Sequence, residues 1–376
     1  MKVTVKQDEL QHGLAVVSRA VATRSTLPVL GNILIATEEG ELRLSATNLE
    51  TSLTCWIPAK VTEPGSTTAP ARILADLVSA LPGDQVQFVL DVKTQSLNVK
   101  SGSSNNDIKC IDAADFPPIP TAGLDGALQL KVGEFRSMIQ QVAFAASTDE
   151  ARPVLMGVLL NVEKDRVTMV AADGFRLSVR KAALASSVSQ PINVIIPARA
   201  LNELARVTGD GDDVINMMVP KGRGQVVFRL KNVQLVAQLI DGTFPDYQQI
   251  IPRAYKSRTL VSTAALLKAC RQAEIFAREG LNVARLEIRE AKGEMKPSEV
   301  EISATSEETG KNETVVEASV DGAGLLIAFN VKFLREALEV IHTPNVALET
   351  SAANAPGVVK PVGDDEFLHV IMPMHI

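Results

Sequence analysis

The feature that most constrains this 376-residue chain is that it repeats itself three times. A chain of that kind folds as copies of one supersecondary unit. Leu27-Pro28-Val29-Leu30-Gly31-Asn32 returns as Arg152-Pro153-Val154-Leu155-Met156-Gly157, with the prolines 125 residues apart. Pro70-Ala71-Arg72-Ile73-Leu74 returns as Pro197-Ala198-Arg199-Ala200-Leu201, and more faintly as Asn330-Val331-Lys332-Phe333-Leu334. A third marker, Phe116-Pro117, Phe244-Pro245 and Met372-Pro373, recurs with a spacing of 128. Three independent markers therefore share one period.

Each unit reads as a short strand, an amphipathic helix, alternating strands, a second helix and more strands. The first helices are expected at 8–22, 132–147 and 263–279. Leu10, Leu14, Val17 and Val21 fall at helical spacing in the first, and Leu266, Leu267, Cys270, Ala273 and Phe276 in the third. Leu42/Leu44, Leu177/Val179 and Leu286/Ile288 alternate as strands do. The second helix of each unit opens at the Pro-Ala-Arg marker, where proline suits the first turn. The fold class is α+β, three similar domains at 1–121, 127–251 and 258–376, each with two helices on antiparallel sheets. Linkers are expected at 121–126 and 251–258.

Composition narrows the function. Hydrophobic residues make up 46% of the chain, enough for a buried core. Cys55, Cys110 and Cys270 stand far apart, with no CxxC pair, which points away from a disulfide framework or zinc ribbon and toward a reducing cytoplasmic compartment. The first residues lack the apolar region of a secretion signal, and no apolar run approaches the ~18 residues of a membrane span. Four histidines, His12, His342, His369 and His375, are too scattered for a charge relay or a HExxH site. Fourteen aromatics are few for a platform that stacks single-stranded nucleic acid. No GxGxxG or GxxxxGK[ST] phosphate loop occurs, and Gly222-Arg223-Gly224 reads as a turn. The clusters Asp210/Asp212/Asp213 and Asp364/Asp365/Glu366 read as solvated turns; a Mg²⁺-dependent phosphohydrolase built on them is the rival enzyme reading. No catalytic residue, metal or cofactor is expected. The net charge is −6, yet the six helical windows carry +2 against −8 elsewhere, a slight bias toward a polyanion near the helices.

Four motifs resemble the bacterial DNA polymerase III beta subunit family, the replicative sliding clamps. They are Thr26-Leu27-Pro28-Val29-Leu30-Gly31-Asn32, Ala172-Asp173-Gly174-Phe175-Arg176-Leu177, Asp241-Gly242-Thr243-Phe244-Pro245-Asp246-Tyr247 and Val370-Ile371-Met372-Pro373-Met374. The resemblance runs the length of the chain. It implies the DNA clamp fold, closed by a head-to-tail homodimer into a pseudo-sixfold ring around double-stranded DNA. Such a ring confers processivity without catalysis and without reading sequence. Implied partners are the replicative polymerase alpha subunit, the clamp-loader complex and other proteins with a clamp-binding motif.

The resemblance also assigns residues. Arg24, Arg72, Thr148, Arg152 and Arg199 are the implied DNA-facing positions. The implied peptide pocket comprises Leu155, Ala172, Gly174, Phe175, Arg176, Leu177, Pro245, Ile250, Asn330, Phe333, Val370, Met372, Pro373 and Met374. Apolar residues beside flexible methionines suit short peptides from several partners. Ile108, Ile275 and Phe276 are the implied dimer contacts. The chain departs from the family pattern at Asn106, Thr148, Asp149, Ala172, Phe175, Gln249 and His375. A hub of the same fold that binds peptides without encircling DNA is the other rival reading.

Size supports a ring of two chains. A 125-residue domain has a radius of gyration of roughly 14 Å, hence a diameter of about 35 Å. Three such spheres leave a hole of only a few Å, whereas six leave one on the order of 35 Å, wider than a duplex of about 20 Å.

Overall fold

A computed structural model of the chain describes residues 1–120, 123, 126–184, 187–209, 213–291 and 298–375. The first repeat runs β1 (Lys2–Lys6), α1 (Gln7–Val17), β2 (Asn32–Glu38), β3 (Glu41–Thr47), β4 (Thr51–Glu63), β5 (Ser66–Pro70), α2 (Ala71–Ala80), β6 (Gln85–Asp91), β7 (Ser96–Ser101), β8 (Ser104–Lys109). The second runs β9 (Leu128–Lys131), α3 (Val132–Val142), β10 (Gly157–Glu163), β11 (Arg166–Ala172), β12 (Arg176–Ala183), β13 (Ile192–Pro197), α4 (Ala198–Val207), β14 (Val214–Met218), β15 (Gln225–Arg229), β16 (Val233–Gln238). The third runs β17 (Ser257–Ser262), α5 (Thr263–Ala277), β18 (Val283–Arg289), β19 (Glu299–Ser306), β20 (Gly310–Gly322), β21 (Leu325–Asn330), α6 (Val331–Glu339), β22 (Asn345–Thr350), β23 (Gly357–Pro361), β24 (Phe367–Ile371). The order of strands and α-helices is the same three times.

The alternation seen in the sequence becomes burial. Leu42 and Leu44 of β3 and Leu53 and Ile57 of β4 are fully buried, while Arg43 between them is not. Gly13 of α1 lets that helix lie against this face: a Cβ there would stand 3.0 Å from Leu44 Cδ1 and 3.2 Å from Ile57 Cγ2. In the third repeat, Cys270 and Ala273 of α5 pack on Leu286 of β18, Ile302 of β19 and Leu334 of α6. Burial pushes the Cys55 thiol up to about 11 and the Cys270 thiol up to about 12, with nearby glutamates adding to the effect. Both are core residues rather than nucleophiles.

Two expectations about the helices need correction. The first helices of repeats one and two stop at Val17 and Val142, each followed by a three-residue 3₁₀ turn. The chain leaves each helix to bond to the Leu-Pro-Val or Arg-Pro-Val marker: Ala22 N donates to Leu30 O at 3.1 Å, and Ser147 N to Leu155 O at 2.8 Å. The marker prolines also sit one step earlier than expected. Pro70 ends β5 and precedes the first helical residue, and Pro197 likewise ends β13. With these bounds Lys6, Arg19 and Arg278 fall outside the helices. The six helices then hold eight basic and eight acidic residues, so the +2 bias disappears.

The three repeats hydrogen-bond into two antiparallel 12-stranded sheets. One compact unit contains 1–133 and 203–239, the other 134–202 and 240–376. In the first unit β4 is 13 residues long; its start pairs with β16, Thr51 opposite Ala237, and its end pairs with β1. In the second unit β12 pairs with β24, Arg176 opposite Ile371. There β20, also 13 residues, pairs its end with β17. The middle repeat lends β9 and β14 to β16 to one sheet and β10 to β13 to the other. Its β12 has only eight residues, and no β9–β12 pairing occurs among the described residues.

Candidate functional site

The most concentrated chemistry in the second unit gathers where β12 meets β24. Asp173 starts it. Its Oδ1 accepts from the backbone N–H of Phe175 (2.9 Å) and Arg176 (3.0 Å), the turn an aspartate side chain makes with its own following backbone. Gly174 in that turn has φ +95°, the left-handed region that favours glycine. The turn delivers Arg176 inward, where its side chain is 8% exposed.

Arg176 is fully engaged there. Nε donates to Asp173 Oδ2 at 2.9 Å, Nη2 donates to Phe144 O at 2.8 Å, and Nη1 donates to Glu336 Oε2. The guanidinium carbon lies 4.3 Å from the Phe333 ring centroid and 5.3 Å from that of Phe144. A buried cation held by two carboxylates and two ring faces is a fixed post. Behind it, Ser178 Oγ and His369 Nδ1 share a hydrogen bond of 2.6 Å across the β12–β24 pair. Burial, with the Arg176 charge adding to it, pushes the His369 imidazole down from 6.5 to about 3, so it stays neutral.

Over this post opens a cavity of about 150 Å³ lined by Ala172, Gly174, Arg176, Leu177, Ile250, Val370 and Met372. All seven are among the pocket residues that the family resemblance implies. Beneath, Leu159, Val170, Val179 and Ile195 form an apolar floor, against which Phe244 of the third marker and the nearby Tyr247 pack. Phe175 (57% exposed), Ile250 (40%) and Met372 (38%) leave large apolar groups in solvent at the rim. Contiguous exposed apolar surface beside a concave site marks a place of interaction.

The other implied pocket residues do different work. Asn330 caps α6, accepting from Lys332 N at 3.1 Å. Phe333 supports Arg176 from below. Pro373 bridges to Phe329, and Met374 N donates to Ala328 O at 2.8 Å, which ties the chain end to β21. Leu155 is half-buried on the 3₁₀ turn Pro153–Met156, and Pro245 is exposed. Sequence reasoning passed over Phe144, Glu336 and His369. Nothing in the spacing joins a lone aromatic at a helix end to an arginine 32 residues on.

Arg24 and Arg72 in the first unit are exposed, and so are Thr148, Arg152 and Arg199 in the second. Arg72 and Arg199 are each the second residue of their helix, and Lys332 holds the same place in α6, also exposed. The faint third copy of the Pro-Ala-Arg marker was the signal for it. Arg152 Nε donates to Asp149 Oδ2 at 2.9 Å. Hydrogen bonds from the Ala151 N–H and from Arg152 hold the Asp149 carboxyl below the usual range. Ile108 is buried on β8, Ile275 of α5 is 61% exposed, and Phe276 is half-buried against the third-repeat core.

Asp364 accepts from Arg180, and Glu366 pairs with Arg166. Asp210 and Asp212 lie outside the described residues. Among the described residues no group of three or more His, Cys, Asp or Glu is placed to hold a metal, and no helix is long and apolar enough to cross a membrane.

Known proteins resemble the chain in sequence and fold. Sequence models of the DNA polymerase III beta subunit match in three parts: the N-terminal domain at 1–120, the central domain at 129–246 and the C-terminal domain at 248–375. The beta sliding clamp of Staphylococcus aureus (strain Mu50) is 33% identical over 383 aligned residues, spanning 100% of this chain and 99% of that protein. That of Staphylococcus epidermidis is 32% identical with the same coverage. The crystal structure of the Bacillus subtilis DNA polymerase sliding clamp superposes with a TM-score of 0.93 at 29% identity, covering 100% of this chain and 99% of that one. A Pseudomonas aeruginosa sliding clamp bound to griselimycin superposes at 0.91 with 28% identity over 100% of both chains.

Proposed function

We propose how this chain works from the premise that it belongs to the DNA polymerase III beta subunit family, the sliding clamps. Two copies close head to tail into a ring around double-stranded DNA and hold partner proteins at the Met372 pocket. Clamp domains at 1–121, 127–251 and 258–376 make up each chain; the matches to the three family domains support that division.

One observation supports closure by a second copy above the others. At both junctions within the chain, the start of the fourth strand of one repeat pairs antiparallel with the eighth strand of the next: β4 with β16, and β12 with β24. The third repeat has a fourth strand, β20, and the first an eighth strand, β8. Among the described residues β8 pairs only with β7, and residues 310–315 of β20 pair only with β19. Two complementary open edges on one chain are satisfied by a second copy, twice, in a closed ring. Ile275 and Phe276 on α5, with Ile108 on β8, supply apolar cover to that contact.

The ring holds DNA by enclosure rather than by grip. The helices carry no net charge, and the DNA-facing cations are dispersed: Arg72, Arg199 and Lys332 at equivalent helix starts, with Arg24 and Arg152 on loops, the latter near the neutral Thr148. A cation in the first helical turn opposes the helix dipole by about 0.3–1 kcal/mol, so these residues serve an external anion better than their own helices. Few phosphate contacts leave the ring free to slide. The protein works in the cytoplasm without catalysis of its own. The replicative polymerase alpha subunit, the clamp loader and other proteins with clamp-binding motifs dock short apolar segments in the pocket.

Sedimentation equilibrium tests the ring first. At micromolar concentration the particle should weigh twice the 40.2 kDa of one chain. A 40.2 kDa particle at every concentration overturns this reading.

A further inference from the structure

The repeated topology fixes how the ring edges align, which makes their side chains readable. In the first repeat Leu53 lies opposite Ala46 on β3 and Leu235 on β16. In the second, Ser178 lies opposite Ala171 on β11 and His369 on β24. In the third, the residue opposite Ala304 on β19 is Asn312. On the eighth strands, Leu235 pairs with Phe228 of β15 and His369 with Val359 of β23; the equivalent residue, opposite Val99 of β7, is Asn106. The same slot thus holds Leu against Leu and Ser against His with a hydrogen bond, and the corresponding residues on the two open edges are Asn312 and Asn106.

The first two pairs are matched in chemistry, and the third is poised to be. Asn312 Oδ1 is buried with no partner in the single chain. Asn106 Nδ2 donates to Ser104 Oγ at 2.9 Å and reaches Val99 O only at 3.5 Å, so one N–H is weakly used. One residue away, the register that puts Ser52 opposite Val236 and Leu177 opposite Val370 would set Lys311 of one copy opposite Asp107 of the other. Opposite charges on facing strands are favourable, and both residues are exposed.

We propose that the ring seam of this protein is a polar lock: Asn312 of one copy and Asn106 of the other pair through their side-chain amides, with Lys311 set against Asp107 beside them. The proposal rests on the two-chain ring argued above. The lock makes closure selective. An apolar residue opposite Asn312 strands a buried carbonyl, so this chain closes with its own kind and rejects an edge that offers a hydrophobic side chain there.

A double-mutant cycle on the full-length protein, read as the dimer dissociation constant by sedimentation, tests it. Each ring has two seams, so Asn106→Leu or Asn312→Leu alone should raise that constant by about 30-fold or more. The double variant, with both amides replaced by apolar groups, should return to within about tenfold of the parent. Asp107→Lys and Lys311→Asp should each weaken the dimer about fivefold and restore it together. The charge pair lies on exposed positions, so it remains informative if a leucine variant unfolds. Single variants that dimerise as the parent does, or pairs no better than their worse member, overturn the lock while leaving the ring intact. A parent chain that never dimerises removes the ring and the lock together.

Discussion

The two junctions inside this chain have one backbone and two chemistries. Where β4 meets β16, the face corresponding to the pocket presents Ser45, Thr47, Ser52 and Thr54, which bond to one another: Ser45 with Thr54 at 3.1 Å and Ser52 Oγ to Thr47 Oγ1 at 2.7 Å. Where β12 meets β24, the same positions are Val170, Ala172, Leu177 and Val179. Gln234 and Gln238 at the first junction stand where Leu368 and Met372 stand at the second. Hydroxyls that satisfy one another leave no apolar surface to cover, whereas the aliphatic set leaves a cavity and an exposed rim. Side-chain replacement alone turns a junction of mutually bonded hydroxyls into one with an open apolar cavity.

The largest effect that sharpens this contrast concerns the two residues that open the paired strands. Arg176→Ala removes the cation between Asp173 and Glu336 and should cost about 3–5 kcal/mol in urea denaturation. Its counterpart Thr51→Ala should cost less than about 1 kcal/mol. Equal losses at the two sites would erase the distinction between a buried post and an ordinary strand residue.

The next concerns pH. His369 is held at about 3 in the folded chain against an ordinary value of 6.5, so the unfolded chain binds more protons between those values. Stability from its neutral burial is complete above about 6.5 and declines as pH falls toward 3, by up to about 1.4 kcal/mol per pH unit. Leu235, in the same slot of the other junction, has nothing to titrate. Thermal unfolding between pH 7 and 4 should show a slope that His369→Leu flattens; an unchanged slope would place the acid sensitivity elsewhere.

A smaller change tests docking directly. Met372→Gln copies Gln238 into the pocket rim and should weaken binding of a polymerase-derived clamp-binding peptide about tenfold by calorimetry, from lost apolar contact. Unaltered affinity would move the docking site away from this junction. Smallest of all is the turn. Leu49 holds φ +75° where Gly174 holds φ +95°. Leu49→Gly should relieve about 1–2 kcal/mol of backbone strain, less the entropy of glycine, for a net gain under about 1 kcal/mol in the same denaturation assay.

Much of this was legible in the sequence, for reasons particular residues make clear. The period was visible because the markers are structural: the Pro-Val-Leu turns accept the bond that ends each first helix, and Phe244 anchors the pocket floor. The cavity lining was reached through the family resemblance, whose motifs contain Ala172, Leu177, Val370 and Met372. The Arg176 post was not, since Phe144 and Glu336 reach it from distant elements. The helical charge bias dissolved because helix ends are set by hydrogen bonds at Leu30 and Leu155 that composition does not reveal. The division into two sheets was equally hidden, as it turns on the short strand β12.

The central claim is retention by enclosure. It is tested most directly by loading the protein with a clamp loader and ATP onto nicked circular plasmid, then cutting half of the sample with a restriction enzyme. The account predicts that protein stays with the intact circles through gel filtration and leaves the linear molecules from their ends. Equal retention on both forms, or none on circles, would contradict it.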